Sequence, residues 1–139
     1  MNGKSKGFTL IELMIALAIA AIILTIAIPA FTEQMAKSRR TKGVAGVQQI
    51  ALLQEKWRAS NASYTTSLAN LGAAATTDDG NYALSIPAAN ATGFRVLATA
   101  QSKQAGDRCG NVSYTFDGTQ PSGQEITLAP TASGQSNCW

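Results

Sequence analysis

The sequence predicts an α+β fold: a long N-terminal helix, first transmembrane and then amphipathic, packed on a small antiparallel β-sheet with a disulfide-closed C-terminal region. Three observations carry this expectation. From Phe8 to Phe31 the chain is almost wholly apolar, interrupted by one acid, Glu12. A helical pattern then continues in amphipathic form to about Ser60. Beyond residue 80, short partly alternating segments are separated by Pro, Gly, Asn and Asp, and both cysteines fall in this last part.

Residues 1–7 form a short, polar, basic leader. As a helix, residues 8–31 extend about 36 Å, enough to cross a hydrocarbon core of about 30 Å. Lys4 and Lys6 precede the span and favour a cytoplasmic N-terminus. The apolar region of an ordinary secretory signal runs to about 7–15 residues, so this stretch reads as a span that stays. Conventional signal cleavage near Ala30, releasing a soluble domain, is the alternative. Pro29 cannot donate to the carbonyl of Thr25, which predicts a kink or local melting.

Past Pro29, the residues Val44, Val47, Ile50, Ala51 and Trp57 fall on one broad face at helical spacing. Arg40, Lys42, Gln48, Gln49, Glu55 and Lys56 take much of the rest, Leu52 and Leu53 blur the boundary, and Gly43 and Gly46 weaken the helix locally. The organisation that follows is a leader at 1–7, an apolar helical half at 8–31 and a globular domain at 32–139. Within that domain, residues 61–81 carry loop chemistry. Strands are expected at Tyr82–Ile86, Phe94–Ala100, Val112–Phe116 and Glu125–Leu128, with Pro87 to Gly93 as a hairpin connection and Asp117-Gly118 as a second turn. Trp57, Tyr64, Tyr82, Tyr114 and Trp139 read as packing groups.

Cys109 and Cys138 are the only cysteines. An even pair downstream of an export-type segment reads as a disulfide in an oxidising compartment, with two free thiols as the alternative. Closing a loop of roughly 30 residues stabilises by about 3–4 kcal/mol on the chain-entropy model. That is a large share for a domain rich in Ala, Gly, Ser, Thr and Asn, whose composition suggests a thin core.

Composition narrows the function classes. The formal charge is +3, but without residues 1–7 nine Lys and Arg face eight Asp and Glu, giving no electrostatic case for a dedicated nucleic-acid binder. The chain has no histidine, the commonest general base and metal ligand. Gly-rich phosphate motifs are absent. Asp78, Asp79 and Asn81 supply oxygen ligands but do not complete a calcium shell, so a polar loop is the simpler reading. No enzyme activity, cofactor or metal is expected.

The run Lys6-Gly7-Phe8-Thr9-Leu10-Ile11-Glu12-Leu13-Met14 resembles the prepilin cleavage signature of type IV pilins and related pseudopilins, nearly residue for residue over positions 4–31. The resemblance implies cleavage between Gly7 and Phe8 by a membrane-embedded prepilin peptidase and methylation of the new Phe8 amine. An acid within a span costs roughly 2.5–3.5 kcal/mol and calls for a partner. Cleavage creates an ammonium four residues before Glu12, and the family pairs such groups between neighbouring subunits to fix axial register. The simpler alternative is an anion tolerated near a helix start. Pro29 then offers a place to bend during assembly.

Weaker likenesses lie in Gly80-Asn81-Tyr82-Ala83-Leu84, the Phe94 to Ala100 strand, Asp107-Arg108-Cys109-Gly110 and Cys138-Trp139. These look like the minor pilins of the twitching-motility and competence apparatus. The resemblance implies a subunit resident in the bacterial inner membrane, N-terminus cytoplasmic, then assembled with other pilins by the pilus machinery into an extracellular filament serving twitching motility, adhesion or DNA uptake. A major pilin, a DNA-binding competence pilin and a type II secretion pseudopilin are the alternatives. For DNA, the contacts would be Arg95, Lys103 and Arg108, three scattered cations that equally serve as solubilising charges.

Overall fold

The computed structural model describes residues 7–119, 127–130 and 138. Lys4, Lys6, the start of the expected strand at Glu125 and Trp139 lie outside the described residues. The chain divides between Met35 and Ala36 into two compact units.

Helix α1 spans Leu10–Arg58 without interruption. The melting expected at Pro29 does not occur. Hydroxyls shadow the segment instead, with Thr25 Oγ1 donating to the Ile22 carbonyl at 2.7 Å and Thr32 Oγ1 to that of Pro29 at 2.9 Å. From Phe8 to Phe31, the Leu, Ile, Met and Phe side chains are all exposed. A helix apolar all round is built for a non-aqueous surrounding, and this one is long and apolar enough to cross a membrane.

The second unit is a helix on a sheet. Strands β1 (Tyr82–Ala89), β2 (Gly93–Ala100), β3 (Val112–Asp117) and β4 (Thr127–Pro130) pair antiparallel in the order β1-β2-β3-β4. Alternation puts Tyr82, Leu84, Ile86, Phe94, Val96, Ala98, Val112 and Tyr114 in a core shared with Val47, Ile50 and Ala51 of α1. Tyr64 joins them, its ring 4.8 Å from that of Phe94 and 5.7 Å from that of Phe116. Leu52 is 73% exposed, and Trp57 is half-buried outside this cluster.

Four expectations need correcting. Arg40, placed on the polar face, is buried, as is Gln54. β1 runs through Pro87 to Ala89, so the hairpin connection is the short Asn90–Thr92 segment, where Asn90 Oδ1 accepts from the amides of Thr92 and Gly93. β1 is an edge strand and its register slips between Ser85 and Ala88, which accommodates a residue without an N–H. Residues 61–81 are not all loop: Leu68–Leu71 forms α2, with Ser67 as its N-cap and Gly72 at φ +63° closing its C-terminus. Finally, Gly43 and Gly46 do more than loosen α1. A Cβ at Gly43 would lie 3.1 Å from the Tyr82 ring, and one at Gly46 3.2 Å from Leu84, so the two glycines let the sheet approach.

Candidate functional site

Two places in the chain concentrate chemistry. In the first unit, Gly7, Phe8 and Thr9 precede α1 in non-helical backbone, and all three are exposed. A Cβ at Gly7 would meet nothing within 4 Å among the described residues. Thr9 and Glu12 then satisfy each other. The Glu12 amide donates to Thr9 Oγ1, while the Thr9 amide and hydroxyl both donate to Glu12 Oε2, each at 3.3 Å. This reciprocal capping box satisfies donors that a helix start leaves orphaned and places an anion in the first turn, where the dipole favours it. Thr9 is thus the partner that sequence reasoning missed, although Thr-x-x-Glu before an apolar run is its signature.

In the second unit, a polar cluster joins α1 to the connection between β2 and β3. The Arg40 guanidinium forks onto Asp107, with Nε donating to Oδ2 at 2.7 Å and Nη2 to Oδ1. Both side chains are nearly solvent-free, at 1% and 4% exposure. Arg40 Nη1 makes a longer contact, 3.5 Å, to the carbonyl of Cys138. Gln104, also buried, donates to the carbonyl of Ala36 at 3.3 Å. Cys109 and Cys138 form the expected disulfide, both buried. Burial alone would raise the Asp107 pKa, but hydrogen bonds and charge from Arg40 outweigh it and hold the carboxyl below its ordinary value.

Asp79 behaves similarly. Burial pushes its pKa up, yet hydrogen bonds from Asn81 and Thr77, with Lys42 nearby, bring it from 3.8 down to about 2. Thr77 Oγ1 donates to it at 2.7 Å and the Asn81 amide at 3.2 Å, so this acid shapes the turn into β1. Among the described residues no group of three or more His, Cys, Asp or Glu is arranged to hold a metal.

A pH dependence follows. Both acids are depressed in the folded chain, so the stability they contribute is complete above the unfolded value, near pH 4, and is lost as pH falls below it, for Asp79 through its folded value of about 2. Urea titrations at a series of pH values should show the unfolding midpoint falling as pH drops from about 5 to about 2. A midpoint unchanged over that range contradicts the assignment.

The three cations proposed for DNA do not converge. Lys103, in the 3-10 turn Ser102–Gln104, and Arg108 share the connection between β2 and β3. Arg95 is exposed on β2, level with Ala88 and Thr115, five residues and about 17 Å of strand before Ala100.

The described chain is thus an exposed apolar helix long enough to cross a membrane and, later in sequence, a disulfide-closed α+β unit. Residues 29–113 match the family model described as type IV minor pilin ComP, DNA uptake sequence receptor. Residues 2–28 match the prokaryotic N-terminal methylation motif. The type IV major fimbrial protein FimA of Dichelobacter nodosus is 31% identical over 147 residues, covering 96% of this chain and 86% of the relative. A fimbrial protein of Neisseria meningitidis is 31% identical over 108 residues, 72% of this chain and 59% of its own length. The chain belongs to the type IV pilin family and is a pilin subunit. Membership implies other pilin subunits as partners, processing by a prepilin peptidase, and membrane anchoring before pilus assembly.

Proposed function

We propose that this chain is a minor pilin, made as a precursor with residues 1–7 on the cytoplasmic side of the inner membrane and residues 32–139 outside it. The peptidase cuts between Gly7 and Phe8, and the Phe8 amine is methylated. The amine, still charged after methylation, then pairs with Glu12 of a neighbouring subunit as the assembly machinery draws the helix from lipid into the filament. Glu12 thereby sets axial register, and Pro29 marks where the helix adjusts. The chain is a substrate and cargo, with no chemistry of its own.

The match of residues 29–113 to a minor-pilin family supports this reading over that of a major pilin, which the fimbrial relatives favour. Counting subunits in sheared filaments tests it: a minor pilin is present at a small fraction of the major subunit, and a chain that makes up most of the filament mass is a major pilin.

A second reading, reception of DNA, is favoured by the description of that same family. Arg95, Lys103 and Arg108 are its candidate contacts. Titrating fluorescent duplex DNA with the full chain in detergent should then give binding that weakens steeply with salt. Replacing Lys103 and Arg108 together should reduce the salt slope by about 2. Absence of salt-sensitive binding at micromolar protein removes this reading and leaves the subunit role intact.

A further inference from the structure

The two cysteines are 29 residues apart in sequence, and the segment they close contains β3 and β4. One side chain reaches both ends of it. Arg40 holds the carboxylate of Asp107, two residues before Cys109, and contacts the Cys138 carbonyl through a third nitrogen. The surroundings fix Asp107 further. Its amide donates to the Gln104 carbonyl at 2.9 Å, its carbonyl accepts from the Gly110 amide at 3.0 Å, and the Gln104 side chain is tied to α1 at Ala36. One turn along α1 from Arg40, the Tyr82 ring lies against Gly43 and closes the cluster from the strand side. A buried arginine is expensive unless paired, and this one contacts both ends of the disulfide-closed segment, Asp107 beside Cys109 and the carbonyl of Cys138.

We propose that Arg40 is the positioning residue of the Cys109–Cys138 disulfide. By anchoring Asp107 and the Cys138 carbonyl at one point of α1, it brings the two thiols together in the reduced chain and so sets the ease with which the pair oxidises. The reaction is thiol–disulfide exchange with an external disulfide. One cysteine thiolate attacks a sulfur of that reagent and releases one thiol. The second cysteine then attacks the protein sulfur of the mixed disulfide and expels the other. One S–S bond is consumed and one formed, the protein pair is oxidised as the reagent is reduced, and the two protein thiol protons end on the two released thiols. Arg40 takes no part in the bond changes. It raises the effective concentration of one cysteine at the other, which an ion pair set beside them can do before any sulfur bond exists.

The experiment equilibrates the full chain, in detergent, with buffers of reduced and oxidised glutathione, and quantifies free thiols by alkylation and mass. Arg40→Gln should shift the half-reduction point by about tenfold or more toward the reduced form. Arg40→Lys, which keeps the charge but not the fork, should fall between. Val47→Ala serves as control, because it opens the core two turns from Arg40 and should leave the midpoint within about twofold of the parent. If Arg40→Gln does not fold, Arg40→Lys against Val47→Ala carries the comparison. A midpoint in the arginine variants no further from the parent than that of Val47→Ala overturns the proposal and leaves Arg40 as a stabilising group only.

Discussion

Glu12→Ala should leave the subunit in the membrane at normal or higher amounts and reduce its incorporation into sheared filaments by about tenfold or more. A carboxylate within a span is costly, though less near its end than the roughly 2.5–3.5 kcal/mol at its centre, so its removal makes residence in lipid easier. In the assembled state the same group is expected to pair with a charged amine. Recovery there of about 1.4 kcal/mol corresponds to about tenfold in the equilibrium between membrane and filament. Glu12 also serves its own helix, through Thr9, and Glu12→Gln separates the two roles. A glutamine at this position still closes a capping box but carries no charge. If pairing governs assembly, Glu12→Gln fails as Glu12→Ala does. Parent-like amounts of Glu12→Gln in filaments would assign the defect of Glu12→Ala to lost capping, and parent-like amounts of Glu12→Ala would dispose of the register role altogether.

Asp107→Ala should destabilise the globular part by about 3–5 kcal/mol, the cost of leaving a buried partner charge uncompensated. Arg40 is 1% exposed and its guanidinium is aimed into the fold, so water cannot replace the carboxylate without opening the structure. The size of the loss depends on the orphaned charge more than on the pair itself. Replacing both residues by apolar ones of similar volume, Arg40→Met with Asp107→Leu, should therefore cost distinctly less than Asp107→Ala alone. Denaturant titrations of the full chain followed by tryptophan fluorescence read both variants. A double variant as unstable as the single one would mean that the cluster contributes through hydrogen bonding to its surroundings, and that the desolvated charge is not the source of the cost.

What the sequence made legible was local. The apolar run, the basic leader before it and the Gly7-Phe8 signature lie within the first 31 residues and need no tertiary context. The paired cysteines and the alternation in β2 and β3 were readable for the same reason. Arg40 was not, because a cation at helical spacing looks like a solvated face until the partner 67 residues away is known. Gln54 is similar: its side chain is spent on the backbone of Thr65, whose amide it accepts at 3.1 Å. α2 is four residues long and gives no periodicity to detect. β1 extends past Pro87 because it sits at the sheet edge, a position that only the strand order reveals. The two glycines of α1 looked like weaknesses because helix propensity says nothing about what must come close.

The proposed route to assembly rests on a helix whose amino terminus is made by cutting between Gly7 and Phe8. The intact mass of the protein extracted from membranes tests this most directly. A polypeptide that starts at Phe8 and carries one added methyl is the expected result. A functional protein that still begins at Met1, or one that begins near Phe31, contradicts it.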